Sequence, residues 1–485
     1  MNAPIRRLSM VVAFMFTCLL VSTTYIQFVQ ASSLRDKPNN RRTLLENYGR
    51  ERGPILVDGN PVARSKATDD ELKYQRTYSD PELFAHVTGY YSFVYGAGGG
   101  VERSEDALLS GSSDALFYRR MVDLVTGRKP QGASVELTID PAVQKVASDG
   151  LGKQTGAVVA LNPKTGAILA LVSHPTYDPN RLAGHDVATV TKAWKDLNAD
   201  KGRPLVNRAI AGDLYPPGST FKVVTAAAAL SSGKYDENTV VPGPATLDLP
   251  QTSVNLPNDF RGACGPGGKL SLTRALQISC NTAFGSLGLE LGGNALAEQA
   301  QKFGFGQGLD VPMPVTPSTV PADMNPPQSA QAAIGQFDVR VTPLQMAMVA
   351  AGVANDGVVM KPYLVDTVRA PDLDVLHQAK PEELSRAVSS DVAAQLTRMM
   401  EKVVDAGTGT RAQIPGVKVA GKTGTAQHGD GKAPHAWFIA FAPADNPQVA
   451  VAVVVEDGGE LGHEGFGGSI AAPIAKKVME AVLKP

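Results

Sequence analysis

An uncharged run of 22 residues near the N-terminus, from Leu8 to Val29, constrains the fold of this chain more than any other feature. As an α-helix this run would be about 33 Å long, which matches the thickness of the hydrocarbon layer of a membrane. Arg6 and Arg7 precede it, and positively charged flanks stay on the cytoplasmic side. We therefore predict a cytoplasmic tail over residues 1–8, a transmembrane signal anchor over 9–30 and an extracytoplasmic remainder. The protein would be a single-pass protein of the cell membrane.

A cleaved signal peptide is the alternative explanation of this run. Cleaved signals have a shorter apolar region that ends in a small-x-small site. The residues from Gln27 to Ala31 offer no good site of this kind. The sequence therefore favours an anchor that is retained.

The composition indicates a folded, nearly neutral chain of more than one domain. A length of 485 residues suits two or three domains. Lys and Arg total 46 against 47 Asp and Glu, so the chain lacks the basic surplus of a protein that binds nucleic acid. Its three cysteines form no Cys-x-x-Cys pair, and its seven histidines show no His-Glu-x-x-His pattern. We therefore expect neither a bound metal nor a cofactor.

Two of the cysteines, Cys264 and Cys280, lie 16 positions apart in the part of the chain that we predict to be exported. An oxidising compartment favours a disulfide between them. Two buried free thiols remain the alternative at this stage.

Residues 31–132 are predicted to form a juxtamembrane linker followed by a small module, called the pedestal below. The linker is polar and rich in Arg and Asn, for example over 39–42. The glycine-rich run Gly96–Gly100 lacks the Lys and Ser/Thr of a phosphate-binding loop, so it indicates a flexible turn. No residue pattern in the pedestal indicates a catalytic or ligand-binding site.

Residues 133–485 are predicted to form a second, larger domain with strands near both of its ends. The predicted strands are 135–140, 156–161, 167–172 and 449–455. The predicted helices are 141–151, 221–230, 392–404 and 470–483. The second and third strands are joined by a turn that contains Pro and Gly, which predicts a β-hairpin. Strands at both ends with helices between them are typical of an α+β fold, an antiparallel sheet with an α-helical lobe.

Ser219 and Lys222 belong to the segment with the strongest signs of chemistry. Three helix-disfavouring residues, 216–218, precede Ser219, and the sequence favours helix from Thr220 onward. Ser219 would then stand at a helix N-terminus, with Lys222 on the same face. A serine hydroxyl needs a base to become a nucleophile, and a desolvated lysine can serve. Ser-x-x-Lys alone is a weak signal, however, and Ser231–Lys234 repeats it where the sequence predicts a helix end.

A second pair of polar residues could also take part in a reaction. Ser279 and Asn281 are wedged between two apolar helical stretches, where a hydroxyl could relay a proton and an amide could hold a substrate amide. Helix capping by either residue is the alternative. The same Ser-x-Asn pattern at Ser253–Asn255 is flanked by prolines and indicates a loop or an edge strand.

The segment Val417–Gln427 is strand-like and contains Lys422, Thr423, Gly424 and Thr425. The lysine supplies positive charge, the two threonines supply hydroxyls for a carboxylate, and the glycine leaves room for a ligand backbone to approach. A second Lys-Thr-Gly, Lys164–Gly166, lies at the tip of the predicted hairpin, where turn geometry alone explains its glycine.

The order of these motifs is more specific than any one of them. Ser-x-x-Lys at 219 is followed 60 positions later by Ser-x-Asn and 143 positions after that by Lys-Thr-Gly. This set is typical of penicillin-binding proteins and serine β-lactamases. From residue 133 to the C-terminus the chain resembles a class B penicillin-binding protein, above all over Gly218–Lys222 and Gly421–Gln427. It is most similar to the actinobacterial penicillin-binding protein A group. Further similarity lies in these segments: 160–166, 334–336, 342–345 and 435–438.

The resemblance implies a peptidoglycan D,D-transpeptidase, with an antiparallel sheet flanked by helices and an α-helical lobe over the cleft. Ser219 would attack the stem peptide that ends in D-Ala-D-Ala, and Lys222 would take its proton. D-Ala would leave, and an amine of a second stem peptide would then attack the acyl-enzyme. Ser279 and Lys422 would assist protonation of the leaving amine, and Asn281 would hold the acyl donor's backbone.

The same resemblance implies the remaining contacts. Thr423 and Thr425 would meet the terminal carboxylate, beside Gly424. The backbone N–H groups of Ser219 and Thr425 would hold the oxyanion. β-Lactams would acylate Ser219. A Cys264–Cys280 disulfide, if present, would pin the loop that carries Asn281.

Partners and competing functions follow from the same family. The resemblance implies a membrane glycan polymerase and other cell-wall synthesis proteins as partners. A D,D-carboxypeptidase or a β-lactamase, with water as acceptor, is the first alternative, and a non-enzymatic β-lactam sensor is the second. A class A protein would need a glycosyltransferase domain, for which the residues between the anchor and residue 133 leave no room.

Overall fold

The computed structural model describes residues 3–30, 48–127, 131–429 and 431–484. Near the N-terminus, the helix α1, Ala3–Thr24, continues into a short π-helical turn, Tyr25–Val29, and no residue of this helix is buried. It is long and apolar enough to cross a membrane, by length and composition. The helix therefore fits a single-pass anchor. The juxtamembrane linker predicted from residue 31 lies outside the described residues as far as residue 47.

The described helices, in chain order, are α1 Ala3–Thr24, α2 Pro81–Thr88, α3 Gly100–Ser104, α4 Asp106–Leu109, α5 Phe117–Thr126, α6 Pro141–Leu151, α7 Asn180–Ala183, α8 Val187–Ala199, α9 Lys222–Ser231, α10 Leu272–Gln277, α11 Asn281–Lys302, α12 Pro326–Ala332, α13 Pro343–Ala354, α14 Ser390–Ala406 and α15 Ala472–Leu483. The described strands are β1 Ile55–Val57, β2 Asn60–Ala67, β3 Tyr74–Tyr78, β4 Tyr90–Ser92, β5 Gly96–Gly98, β6 Ser134–Leu137, β7 Gly156–Leu161, β8 Ile168–His174, β9 Val240–Pro242, β10 Thr246–Asp248, β11 Asn255–Pro257, β12 Lys269–Ser271, β13 Leu309–Asp310, β14 Pro314–Val315, β15 Val358–Met360, β16 Val365–Arg369, β17 Val375–Gln378, β18 Glu383–Arg386, β19 Ala420–Ala426, β20 His435–Ala442 and β21 Val449–Val455.

A five-stranded antiparallel sheet with the order β19-β20-β21-β7-β8 forms the centre of the larger region. Its three central strands, β20, β21 and β7, are apolar at almost every position because both faces are covered. On β21, Val454 packs into one core together with Val349 of α13. Its neighbour Val453 packs into a second core together with Val478 of α15. This alternation is the two-residue period of a strand. The predicted α+β architecture is confirmed.

The strand β19 is an edge of this sheet, so only one of its sides is paired with a neighbouring strand. Every second backbone N–H and C=O of an edge strand points away from the sheet. These groups are available to a ligand that lies along β19.

A second sheet has six strands in the order β17-β16-β6-β1-β2-β3. Strand β6, at the start of the predicted larger domain, pairs in parallel with β1 of the pedestal and antiparallel with β16. The pedestal and the larger region therefore share one sheet. The boundary at residue 133 stays a prediction.

The helical lobe is built around α9, whose residues 222–230 are all buried. It packs against α11, which in turn packs against α12. A helix that is buried on all sides needs side chains that are mostly apolar and small. This need explains the run of four alanines within α9. The lobe thereby holds the N-terminus of α9 against the edge strand β19.

Candidate active site

Ser219 lies in a 3₁₀ turn, Gly218–Phe221, that passes directly into α9. Its side chain is only 7% exposed. Gly218 has a φ of +53°, and a Cβ atom there would lie 2.5 Å from the carbonyl oxygen of Thr425. Glycine at this position thus lets the turn that carries Ser219 approach the edge strand β19.

Lys222, one helical turn after Ser219, is completely buried and surrounded by acceptors. Its Nζ donates to the carbonyl oxygen of Ser279 at 2.8 Å, to the Ser279 hydroxyl at 3.2 Å and to Oδ1 of Asn281 at 2.6 Å. Burial lowers the pKa of Lys222 to about 7, and the carboxylate of Asp259 opposes that shift. A lysine with this pKa can act as a base near neutral pH.

Ser279 and Asn281 are held at the junction of α10 and α11. Ser279 has a φ of +61°, which is uncommon for a residue with a side chain. Cys280, the N-cap residue of α11, is bonded to Cys264, with the two Cα atoms 6.0 Å apart. This covalent link fixes the short segment between the two polar residues to the loop before β12.

Lys422 enters the same network from β19. Its Nζ donates to the Ser279 hydroxyl at 3.0 Å and to the carbonyl oxygen of Thr423 at 2.7 Å. The lysine is completely buried. Burial holds its pKa well below the ordinary value, and the nearby charge of Lys222 lowers that pKa further. The Thr423 hydroxyl in turn lies 2.6 Å from the hydroxyl of Thr408.

Gly424 packs against the turn that carries Ser219. A Cβ atom there would lie 2.9 Å from Cγ2 of Thr220, 2.9 Å from Cβ of Trp437 and 3.0 Å from the carbonyl oxygen of Pro217. The turn Gly218–Phe221 and the residue before it fill this side of the glycine, so the missing side chain lets β19 pack against the turn that carries Ser219. The approach of a ligand backbone to Gly424 stays a prediction.

A cleft of about 490 Å³ lies over these groups. Of the predicted residues, Ser219, Ser279, Thr423 and Thr425 line it. Lys222, Lys422 and Asn281 lie buried next to them. Lys222 donates to Ser279, Lys422 donates to Thr423, and Asn281 accepts from Lys222. The structure therefore brings the three sequence motifs together at one place.

Other residues that line the cleft were not predicted: Asp259, Phe260, Ile278, Thr408, Thr410, Arg411, Phe466, Gly467, Gly468 and Ser469. Asp259 accepts a hydrogen bond from Nδ2 of Asn281 at 3.0 Å. No pattern around Asp259 marks it in the sequence, because it lies in an irregular loop. The glycines around Thr408 and the Gly467–Gly468 pair are signals of close backbone approach that could have been followed.

The second copies of the three sequence motifs lie outside the cleft, as the sequence indicated. Ser231 ends α9, and Lys234 is exposed after Gly233, whose φ is +72°. Asn255 begins β11, which belongs to a two-stranded ribbon. Lys164 is exposed in the turn between β7 and β8.

Taken together, the fold and the site define a serine acyltransferase with a completely buried lysine one helical turn after the serine. A serine at the start of a buried helix faces an edge strand, and a second serine hydroxyl lies between two lysines of lowered pKa. This arrangement suits attack on a carbonyl carbon followed by protonation of a leaving amine.

Comparison with known proteins identifies the family. Residues 156–480 match the penicillin binding protein transpeptidase domain, and residues 52–135 match the penicillin binding protein A dimerisation domain. The peptidoglycan D,D-transpeptidase PbpA of Mycolicibacterium smegmatis is 46% identical over 100% of this chain and 99% of its own length. PbpA of Mycobacterium tuberculosis is 44% identical over 100% of this chain and 99% of its own length. The chain belongs to the class B penicillin-binding proteins.

Solved structures agree with this assignment. The ceftriaxone acyl-enzyme complex of penicillin-binding protein A from M. tuberculosis matches with a TM-score of 0.87 and 44% identity, and the match covers 91% of this chain and 100% of that one. The penicillin G acyl-enzyme complex of the same protein matches with a TM-score of 0.85, over 90% of this chain and 100% of that one. The predicted family and fold are confirmed.

Proposed function

We propose that this chain, a serine-type peptidoglycan D,D-transpeptidase that β-lactams acylate, uses Ser219 as its nucleophile. One observation carries this assignment of roles. The hydroxyl of Ser279 lies 3.2 Å from Nζ of Lys222 and 3.0 Å from Nζ of Lys422, next to Ser219 in the same cleft. A path for protons therefore runs from the base beside the nucleophile to the edge strand.

In the acylation step, Ser219 attacks the carbonyl carbon of the penultimate D-Ala of a stem peptide that ends in D-Ala-D-Ala. The Oγ–C bond forms, and the serine proton passes to Nζ of Lys222. For this transfer, Lys222 in its neutral form gives up a hydrogen bond that it donates to Ser279 or Asn281, and its Nζ accepts one from the hydroxyl of Ser219, one helical turn away. The C–N bond then breaks, and the leaving D-Ala amine takes a proton through the hydroxyl of Ser279.

In the second step, an amine of another stem peptide attacks the acyl-enzyme. A new C–N bond forms, the bond to Ser219 breaks, and one amine proton returns to Oγ of Ser219 through Lys222. Water in place of the amine would give the carboxypeptidase or β-lactamase outcome.

Binding of the donor peptide is assigned to β19 and the loop of Asn281. The terminal carboxylate would accept hydrogen bonds from Thr423 and Thr425, and Lys422 in its protonated form would favour an anion there. The backbone N–H groups of Ser219 and Thr425 would receive the oxyanion, which is consistent with the edge position of β19. The side chain of Asn281 would hold the donor's backbone amide.

The domain limits, the location and the partners are proposed from the N-terminal helix and from the family. Residues 1–8 would remain cytoplasmic, 9–30 would cross the membrane, 31–132 would form the linker and pedestal, and 133–485 would act on peptidoglycan outside the membrane. Fractionation of the full chain and of a variant without residues 1–30 tests the anchor, since only the full chain should pellet with membranes. A membrane glycan polymerase is the proposed partner, and its chemical crosslinking to the pedestal tests that part.

Labelling with a fluorescent penicillin tests the catalytic roles. The full chain should be labelled, Ser219→Ala should not be, and Ser231→Ala, in the repeated motif, should be labelled like the unsubstituted protein. Glycan strands linked to lipid should yield crosslinked stem-peptide dimers only when Ser219 is present. Labelling that survives in Ser219→Ala would exclude this nucleophile. Rapid release of the label as hydrolysed penicillin would favour a β-lactamase.

A further inference from the structure

The walls of the cleft differ in charge. On the sheet side the lining carries Thr423 and Thr425, and Arg411 lies at the turn after α14. Among the described residues that line the cleft, Asp259 is the only acidic one, and it stands on the side of the helical lobe. The sheet side suits the carboxylate of the donor, whereas the side of Asp259 suits a cation.

Asp259 still has capacity to bind a ligand. Its Oδ1 accepts the hydrogen bond from Nδ2 of Asn281, but within the described part of the chain no hydrogen bond reaches its Oδ2. The side chain is exposed to the cleft. Phe260, the next residue, also lines the cleft, and it is 51% exposed. A carboxylate next to an exposed aromatic ring is suited to a primary amine on an aliphatic chain.

We propose that Asp259 and Phe260 form the subsite for the acceptor amine, the side-chain amine of the second stem peptide. This inference rests on the proposed function, because it concerns the second step at the same serine. The amine reaches the subsite as an ammonium ion and releases one proton to solvent. Its nitrogen then forms a bond to the acyl carbon as the bond to Ser219 breaks.

The carboxylate acts while the new bond forms. The attacking nitrogen becomes positively charged until its second proton leaves through Lys222 to Oγ of Ser219. A carboxylate that accepts an N–H of this nitrogen stabilises the developing charge and orients the lone pair toward the ester. Water gains less from the same carboxylate because it arrives uncharged. Asp259 would therefore favour aminolysis of the acyl-enzyme over hydrolysis.

A purely structural role for Asp259, as the partner of Asn281, makes a different prediction. Asp259→Asn keeps an oxygen that can accept the hydrogen bond from Asn281 and removes only the charge. If Asp259 serves only Asn281, this variant should resemble the unsubstituted protein in every step. If its charge recognises the amine, the second step alone should suffer.

The test uses the full chain in detergent, a thioester of an acylated D-alanine as donor, and glycinamide as the amine. The ratio of aminolysis to hydrolysis is measured at pH 8.5, above the pKa of Lys222, so that any influence of Asp259 on that lysine does not enter. The rate of acylation by penicillin, a step without an acceptor, is measured in parallel. Asp248→Asn is the matched control, because Asp248 is an exposed aspartate of the same lobe that does not line the cleft.

For Asp259→Asn we expect the ratio of aminolysis to hydrolysis to fall about fivefold, as for the loss of one exposed ion pair. Asp259→Glu should restore part of it, and Asp248→Asn should leave it unchanged. An unchanged ratio in Asp259→Asn would overturn the subsite. A parallel fall in penicillin acylation would also overturn it, in favour of a positioning role through Asn281. If the unsubstituted protein forms no acyl-enzyme at all, the proposed function fails, and the subsite fails with it.

Discussion

Lys222 and Lys422, far apart in the sequence, donate hydrogen bonds to the same oxygen atom, the hydroxyl of Ser279. Two ammonium groups this close repel each other, and both are removed from water. Burial lowers the pKa of Lys222 to about 7 and holds the pKa of Lys422 well below its usual range. At neutral pH the pair therefore carries less than its full charge of two. Such a network can take up the proton of Ser219.

The first prediction concerns the pH dependence of acylation. Below pH 7 Lys222 is mostly protonated and unable to accept the serine proton, and above pH 7 it is mostly neutral. The second-order rate of acylation by a fluorescent penicillin should therefore rise between pH 6 and pH 8 with a midpoint of about 7. Lys234→Met, at the repeated motif, should show the same profile. A rate that is flat over this range would mean that Lys222 is not the base.

The second prediction concerns Asn281, whose Oδ1 lies 2.6 Å from Nζ of Lys222. In Asn281→Asp a carboxylate replaces this amide beside the lysine. An opposite charge at hydrogen-bond distance favours the protonated lysine and raises its pKa. The midpoint of the acylation profile should then move to a higher pH, by about one unit or more.

A second variant at the same position separates this electrostatic effect from simple damage to the fold. Asn281→Ala removes the acceptor without adding charge, so it should slow acylation but not move the midpoint upward. An upward shift in both variants would show that the side chain of Asn281 does not control the lysine.

The sequence predicted the groups of this network better than their arrangement. Ser219, Lys222, Ser279, Asn281 and Lys422 were all found from motif order and family resemblance. Local patterns also predicted α6 and β21 within their exact bounds, because burial on regular elements leaves a strong periodic signal. The hydroxyl shared between two lysines could not be predicted, since it depends on packing between elements far apart in the chain.

Cleft residues in irregular loops could not be predicted from the sequence for a related reason. Asp259 and Arg411 reach the cleft from segments without a repeating pattern, so nothing local distinguishes them from other surface charges. The pairing of β1 with β6 in one sheet could not be predicted either, because parallel pairing between distant strands produces no pattern in the sequence of either strand. The packing of Gly424 against Thr220 and Trp437 could not be predicted either, because the sequence does not tell which atoms fill the space next to a glycine.

The third prediction follows from the surroundings of Gly424. In Gly424→Ala the new methyl group would lie 2.9 Å from both Thr220 and Trp437, so β19 and the nucleophile turn must move apart. Overpacking of this kind destabilises a protein by about 1–3 kcal/mol. We expect a lower midpoint of thermal unfolding and acylation at least about tenfold slower, since small displacements of a nucleophile are costly. Gly308→Ala is the control, because a Cβ atom there meets nothing within 4 Å. If Gly424→Ala acylates at the normal rate, contact between the turn and the strand is not needed.

The fourth prediction concerns the bond between Cys264 and Cys280. Cys280 stands between Ser279 and Asn281, so the bond ties both of these neighbours to a loop 16 positions earlier in the chain. Closing a loop of this length stabilises the folded protein by about 3 kcal/mol in the chain-entropy model. Under reducing conditions, and in the double variant Cys264→Ser with Cys280→Ser, we expect a lower unfolding midpoint and slower acylation by penicillin. Cys18→Ser removes the exposed cysteine of α1 and is the control, because it should change neither measurement and should leave the sensitivity to reductant intact. Acylation kinetics that are the same with and without reductant, in protein whose thiols are shown to be free, would mean that the bond stabilises the lobe without positioning Asn281.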